Sequence, residues 1–370
     1  MKIGVLTSSR ADFGIYTPLL ERLNRDSFFD LTIIAFGTHG SPHHGYTVTE
    51  IQDSGYKNID VINSLLVNDD AAGIASSYGL TVIKFSDYWN QNSFDLVICL
   101  GDRFEMSAAV QAGIPFGVKF AHLHGGETTL GAIDDVFRHQ ITLASDIHFA
   151  STEVYRDKIV ALTGKIDLVY NVGSLSLDRI EDFKFEDEAK FKNKYNIPDH
   201  PYLLITFHPE TILPQRNRLN AEKIKEALVE LSKDYFLIVT MPNADTDGNL
   251  FRDAYQELQP ALFEKMKTIE NFGKNGYFNA MKYAELIVGN SSSGILEAAT
   301  FGKYVVNVGD RQKGRARSEN VIDCTFKADE ITESVRKAAK YGAYSGTNIY
   351  KKEKTADNII EVLMKYYETL

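Results

Sequence analysis

The chain alternates short, almost purely apolar runs with longer stretches in which apolar residues recur every three or four positions. Runs of the first kind are KIGVLT (2–7), FDLTIIAFG (29–37), FDLVICLG (94–101), FGVKFAHL (116–123) and IDLVYNVG (166–173). A second series follows as YLLITFHP (202–209), DYFLIVTMP (234–242), AELIVGN (284–290) and YVVNVGD (304–310). Between them, FGIYTPLLERLN (13–24), RFEMSAAVQAG (103–113), AEKIKEALVELSKD (221–234) and SGILEAATFG (293–302) carry the helical period. Strands that are apolar throughout and alternate with helices predict parallel sheets covered on both faces.

The rhythm breaks from about 178 to 200, a charge-dense stretch ending in two prolines, and resumes afterwards. The expectation is an α/β protein of two Rossmann-like doubly wound domains with a cleft between them. The domains run over 1–175 and 176–354, and a closing helix covers 355–370. A length of 370 residues fits two domains better than one.

Composition narrows the function. The formal net charge is −10, from 40 basic and 50 acidic residues. That argues against a sequence-independent grip on nucleic acid, which needs surplus Lys and Arg. Cys99 and Cys324 stand in or beside apolar runs and read as buried thiols in a reducing compartment rather than a disulfide framework. No apolar run approaches the roughly 20 residues of a membrane span, and the first apolar run ends too soon for a signal peptide. A cytoplasmic protein is expected.

In doubly wound sheets, ligands bind beyond the carboxyl ends of the strands. At 289–302, GNSSSGILEAATFG passes from strand to helix through Ser291, Ser292 and Ser293, a pattern that suits either an anion site or a plain helix cap. Glu297 falls about a turn into that helix and could accept hydrogen bonds from sugar hydroxyls. GDRQKGRARSEN (309–320) brings Arg311, Arg315 and Arg317 into an acidic protein, as a solvated loop or a diphosphate contact. After the first strand, TSSRADFG (7–14) holds Arg10 but lacks the G-x-G-x-x-G dinucleotide fingerprint, which is also missing after the other strands. LGDRFEMS (100–107) offers Asp102, as a functional carboxylate or a helix N-cap, and Arg103. TFHPET (206–211) offers His208, and MPNADTDG (241–248) offers Asn243.

The densest stretch is HLHGGETTLGAIDDVFRHQIT (122–142), with three histidines among several acids and an arginine. A strand should end near Leu123 and a helix begin near Ile133, so Asp134 and Arg138 share a helical face. This is ordinary helix electrostatics or a catalytic cluster. A zinc site on His122, His124 and His139 is a weaker alternative, because H-E-x-x-H and cysteine-rich ligand sets are absent.

Taken together, SRADFG (9–14), GDRFE (101–105), HLHGGETTLGAIDDVFRH (122–139), FHP (207–209), GNSSSGILEA (289–298) and NVGDRQKGR (307–315) form a recognisable series. With these motifs in order along nearly the whole chain, it resembles the UDP-N-acetylglucosamine 2-epimerase family, in the hydrolysing branch of sialic and legionaminic acid synthesis. The resemblance implies the two-Rossmann-domain (GT-B-like) architecture shared with many glycosyltransferases, with the last helix packed back on the first domain. It implies UDP contacts from Arg10, His208, Asn243, Tyr277, Ser291, Ser292, Glu297 and Arg311. The sugar-side residues it implies are Asp102, Arg103, His124, Glu127, Asp134 and Arg138. Non-hydrolysing relatives carry a glutamate where this chain has His124, and the HGGE pattern resembles the hydrolysing branch.

The chemistry implied is UDP-GlcNAc plus water giving ManNAc and UDP, by elimination to a glycal and rehydration, for nonulosonic acid synthesis. That route needs no NAD and no metal. Asp102 and Asp134 are expected as acid and base around C2, with Glu127 or His124 handling water and His208 assisting the leaving phosphate. UDP-2,4-diacetamido-2,4,6-trideoxyglucose is the alternative substrate. A glycosyltransferase of the same architecture is the alternative of another class. A homodimer or homotetramer is implied by the resemblance.

Overall fold

The computed structural model describes residues 1–42, 45–66, 70–130, 133–210, 213–242 and 248–369. They form two compact units, Met1–Thr128 with Ile133–Ile180 and Tyr350–Leu370 in the first, and Thr129–Ala132 with Glu181–Ile349 in the second.

In unit 1, β1 (Lys2–Thr7), β2 (Asp30–Phe36), β3 (Asn58–Ile62), β4 (Leu96–Leu100), β5 (Phe120–Leu123), β6 (Ile147–Ala150) and β7 (Val169–Asn171) form one sheet. Its order is β3-β2-β1-β4-β5-β6-β7, with every pair parallel. The strand order reverses between β1 and β4, a topological switch point where loops splay apart and leave a crevice. Apolar cores lie on both faces. Leu19, Leu20, Leu23 and the last helix (Ile359, Ile360, Leu363) cover one, and Phe85, Trp89, Met106 and Val110 cover the other.

Unit 2 repeats the plan. β8 (Tyr202–Thr206), β9 (Phe236–Thr240), β10 (Met266–Ile269), β11 (Leu286–Gly289), β12 (Val305–Val308) and β13 (Val321–Cys324) are ordered β10-β9-β8-β11-β12-β13. All its pairs are parallel, and its switch point lies between β8 and β11.

The division between units falls at 180/181 and the return at 349/350, rather than at 175/176 and 354/355. Leu175 and Leu177 are buried, Leu175 in the first core. The buried Tyr350 hydroxyl lies 3.0 Å from that of Tyr155, so the chain commits to unit 1 before its last helix, Thr355–Tyr367, begins.

Two element readings need correction. The run 116–123 becomes a strand only from Phe120, because Ile114–Phe116 is a 3-10 turn closed by Gly117 in the left-handed region. The helix expected over 293–302 stops at Leu296 and gives way to a 3-10 turn at Ala298–Phe301. Glu297 is therefore a helix C-cap, not an interior residue.

Candidate functional site

Of the residues singled out at strand ends, Asp102, His124, Glu127 and Arg138 gather at the carboxyl ends of β4 and β5 in unit 1. Gly101, in the left-handed region, turns the chain out of β4. The helix that follows starts at Phe104 with Arg103 as its cap, so Asp102 is not the N-cap. Instead the Asp102 carboxylate receives a short hydrogen bond from the Arg138 guanidinium. Arg103 turns a bidentate pair onto buried Glu105, at 3.2 and 2.8 Å, and that carboxylate pushes the guanidinium further above its usual range. Asp134 opens the helix Asp134–Leu143 close enough to Arg103 to add to the same effect.

Arg138 is buried, although it belongs to the most polar class of side chains. Its guanidinium bridges the Asp102 carboxylate and the His124 carbonyl, the latter at 2.8 Å, and stands 4.0 Å from Glu127 Oε2. The expected Asp134–Arg138 face is thus used differently: Arg138 turns inward to the ends of β4 and β5.

His124 closes β5, its backbone N–H donating to Phe149 on β6 at 2.9 Å. It has φ +62°, the left-handed region that a non-glycine residue rarely adopts. From there its ring turns back onto Glu127, with Nδ1 2.8 Å from Oε1. Gly126 makes the turn possible. Its φ is +72°, and a Cβ there would meet the Tyr155 carbonyl at 2.4 Å. Nε2 of His124 has no hydrogen-bond partner among the described residues.

The other histidines of this stretch have separate duties. His122 is buried in β5, with Nε2 2.8 Å from the Gly101 carbonyl, and burial lowers it to about 3. His139 faces Asp135 at 3.6 Å. Among the described residues, no three His, Cys, Asp or Glu side chains are grouped to hold a metal ion. Arg10 stands apart from the cluster, largely exposed and 4.0 Å from Glu50.

In unit 2, Asn290 organises the equivalent switch point. Its side chain accepts from the His208 N–H at 2.7 Å and donates to the His208 carbonyl at 2.9 Å. Its own carbonyl accepts from Arg311 at 3.1 Å and from Gln312 at 2.9 Å. Gly289 sits where β11 leaves the sheet, with φ +140°, and a Cβ there would lie 1.9 Å from the Thr206 carbonyl oxygen. Ser291 caps the short helix Ser292–Leu296, with Ser292 its first residue. The Tyr277 hydroxyl is enclosed beside Thr206 and Ser293, and burial pushes it up to about 12. Burial and Arg311 lower His208 to about 3. Asn243 lies outside the described residues.

The three arginines of 311–317 do not act together. Arg317 is spent on Asp323, buried Arg315 donates to Thr129 at 3.3 Å, and only Arg311 joins the Asn290 group. Residues not picked from the sequence include Ser151, Glu105, Asn290 and Gln312. Asn290 and Gln312 sit inside the motifs quoted above, but their contacts span 82 and 22 positions of the chain, whereas Glu105 pairs with its near neighbour Arg103. Ser151 lies in no motif.

A model of the UDP-N-acetylglucosamine 2-epimerase family matches residues 21–364. The chain belongs to the UDP-N-acetylglucosamine 2-epimerase family. A member from Campylobacter jejuni, named GDP/UDP-N,N'-diacetylbacillosamine 2-epimerase (hydrolyzing), is 37% identical over 87% of this chain and 84% of its own. The UDP-N,N'-diacetylbacillosamine 2-epimerase (hydrolyzing) of Legionella pneumophila is 32% identical over 98% of this chain and 95% of its own. The crystal structure of UDP-GlcNAc 2-epimerase from Neisseria meningitidis bound to UDP-GlcNAc has the same fold. Its TM-score is 0.82 at 17% identity, over 99% of this chain and 100% of the other. This epimerase-family protein is an enzyme of the hydrolysing 2-epimerase type, which sets aside the glycosyltransferase reading. No helix among the described residues is long and apolar enough to cross a membrane.

Proposed function

We propose that the enzyme releases UDP from UDP-N,N'-diacetylbacillosamine, the 2,4-diacetamido-2,4,6-trideoxyglucose nucleotide, while inverting the configuration at C2. The observation that carries the reaction is the bonded set of Asp102, His124, Glu127 and Arg138 at the ends of β4 and β5. Several ionisable groups around one point suit a reaction that removes a proton, returns one to the opposite face and places water.

The steps balance without a redox partner. The C1–O bond breaks and its electron pair leaves with UDP; the electron-poor C1 acidifies the C2–H. A base takes that proton and a 1,2-unsaturated glycal results. Water oxygen then adds to C1, and a proton reaches C2 on the other face. UDP-sugar and water become UDP and the free 2-epimer, and neither NAD nor a metal enters. In this reading Asp102 and Asp134 exchange the C2 proton, Arg103 and Arg138 fix their charges, and the His124–Glu127 pair handles water. His208, Ser291, Ser292 and Arg311 receive the diphosphate, where the Arg311 charge favours its departure. Tyr277 and Glu297 contact the nucleoside, and Arg10 supplies a further cation.

The sequence motifs imply UDP-GlcNAc as the first substrate. Two relatives above 30% identity support the diacetamido sugar instead, and the family's own description keeps UDP-GlcNAc as the second reading. Side-by-side kcat/KM values decide between them. A ratio of about a hundred or more for the diacetamido nucleotide is expected, since a site built to hydrogen-bond one amide is left unpaired by a hydroxyl. Equal or inverted values contradict the substrate assignment.

A further inference from the structure

Ser151 closes β6 and is fully buried. Its hydroxyl donates to Glu127 Oε1 at 2.8 Å. That same oxygen lies 2.8 Å from His124 Nδ1. An ionised carboxylate only accepts hydrogen bonds, so between it and the imidazole the imidazole is the donor. A neutral His124 then carries its proton on Nδ1 and has its lone pair on Nε2, the nitrogen without a partner among the described residues. Arg138, 4.0 Å from Oε2, favours a charged Glu127 from the other side.

From this geometry we propose that Ser151 is a positioning residue of the reaction. It fixes Glu127, Glu127 fixes the Nδ1–H tautomer and tilt of His124, and His124 Nε2 is the atom that takes a proton from water. This rests on the reaction proposed above and revises one role within it: Glu127 orients, and only His124 touches water. The strained φ of His124 and the packing of Gly126 against Tyr155 belong to the same device. They hold the imidazole at the strand end, where a relaxed backbone would carry it elsewhere.

The relay can be read without turnover. In the ligand-free enzyme labelled with 15N-histidine, His124 is expected to show its proton on Nδ1 at neutral pH. Ser151→Ala is expected to give a mixture of tautomers and a kcat roughly tenfold lower at nearly unchanged KM. Ser151→Thr, which keeps the hydroxyl, should restore both. A wild-type His124 protonated on Nε2 overturns the inference even if no variant folds. So does a Ser151→Ala enzyme that keeps the wild-type tautomer and rate. Because the tautomer is measured without substrate, a wrong substrate assignment leaves this test intact.

Discussion

The guanidinium of Arg138 is bonded to the carboxylate of Asp102, tying the helix Asp134–Leu143 to the end of β4 across 36 positions of the chain. Arg138 is almost completely buried while Asp102 keeps partial exposure. The pair therefore has one end in a low-dielectric interior and one end at the site. Replacing Arg138 by Met leaves the Asp102 charge, and the His124 carbonyl, without their donor. The expected cost is about 3 kcal/mol of stability at neutral pH, measured by urea unfolding, together with loss of turnover. A variant as stable as the wild type would show that the pair holds nothing in place.

The two aspartates separate chemistry from binding. Asp102→Asn and Asp134→Asn are each expected to lose most activity while UDP affinity, measured by calorimetry, stays within a few-fold. Full activity in either variant removes that residue from proton transfer.

On the nucleotide side, Arg311 is held by the Asn290 carbonyl and is expected to meet the diphosphate. Arg311→Ala should weaken UDP binding about tenfold or more, as a charge-assisted hydrogen bond is worth roughly 1.5–3 kcal/mol. An unchanged Kd would place the diphosphate elsewhere.

Four buried histidines set an acid limit on stability. His122 and His208 are lowered to about 3, and His39 and His148 to about 4, in each case chiefly by burial. They are neutral in the folded chain and take up protons once unfolded, near pH 6.5. Their contribution is intact above about pH 6.5 and is lost as pH falls from there towards 4, each site adding up to about 1.4 kcal/mol per pH unit. Urea midpoints should drop steeply between pH 6.5 and 4.5. A flat profile across that window contradicts their burial in the neutral form.

Much of the scaffold was legible in the chain because central parallel strands are apolar throughout. β1 and β8 lie within the runs read from the sequence, as do β4 and β11. The strands not picked out were β3, β10 and β13, all at sheet edges and carrying polar residues such as Asn58, Lys267 and Asp323. β6 was also missed; it is interior but only four residues long and holds His148. At the site, motifs located Asp102, His124, Glu127 and Arg138, because strand-end loops concentrate ionisable residues. Their pairing was not legible. Arg138 on Asp102 and Ser151 on Glu127 join segments 36 and 24 positions apart, and helical spacing pointed instead to Asp134 as the partner of Arg138. The Asn290–His208 contact spans 82 positions and has no local signature.

The decisive measurement is an NMR time course of the purified enzyme with UDP-N,N'-diacetylbacillosamine in D2O, with neither NAD nor metal added. The expected result is free UDP together with 2,4-diacetamido-2,4,6-trideoxymannose carrying deuterium at C2. A product that keeps its UDP, or that keeps the original hydrogen at C2, contradicts hydrolytic epimerisation through a glycal.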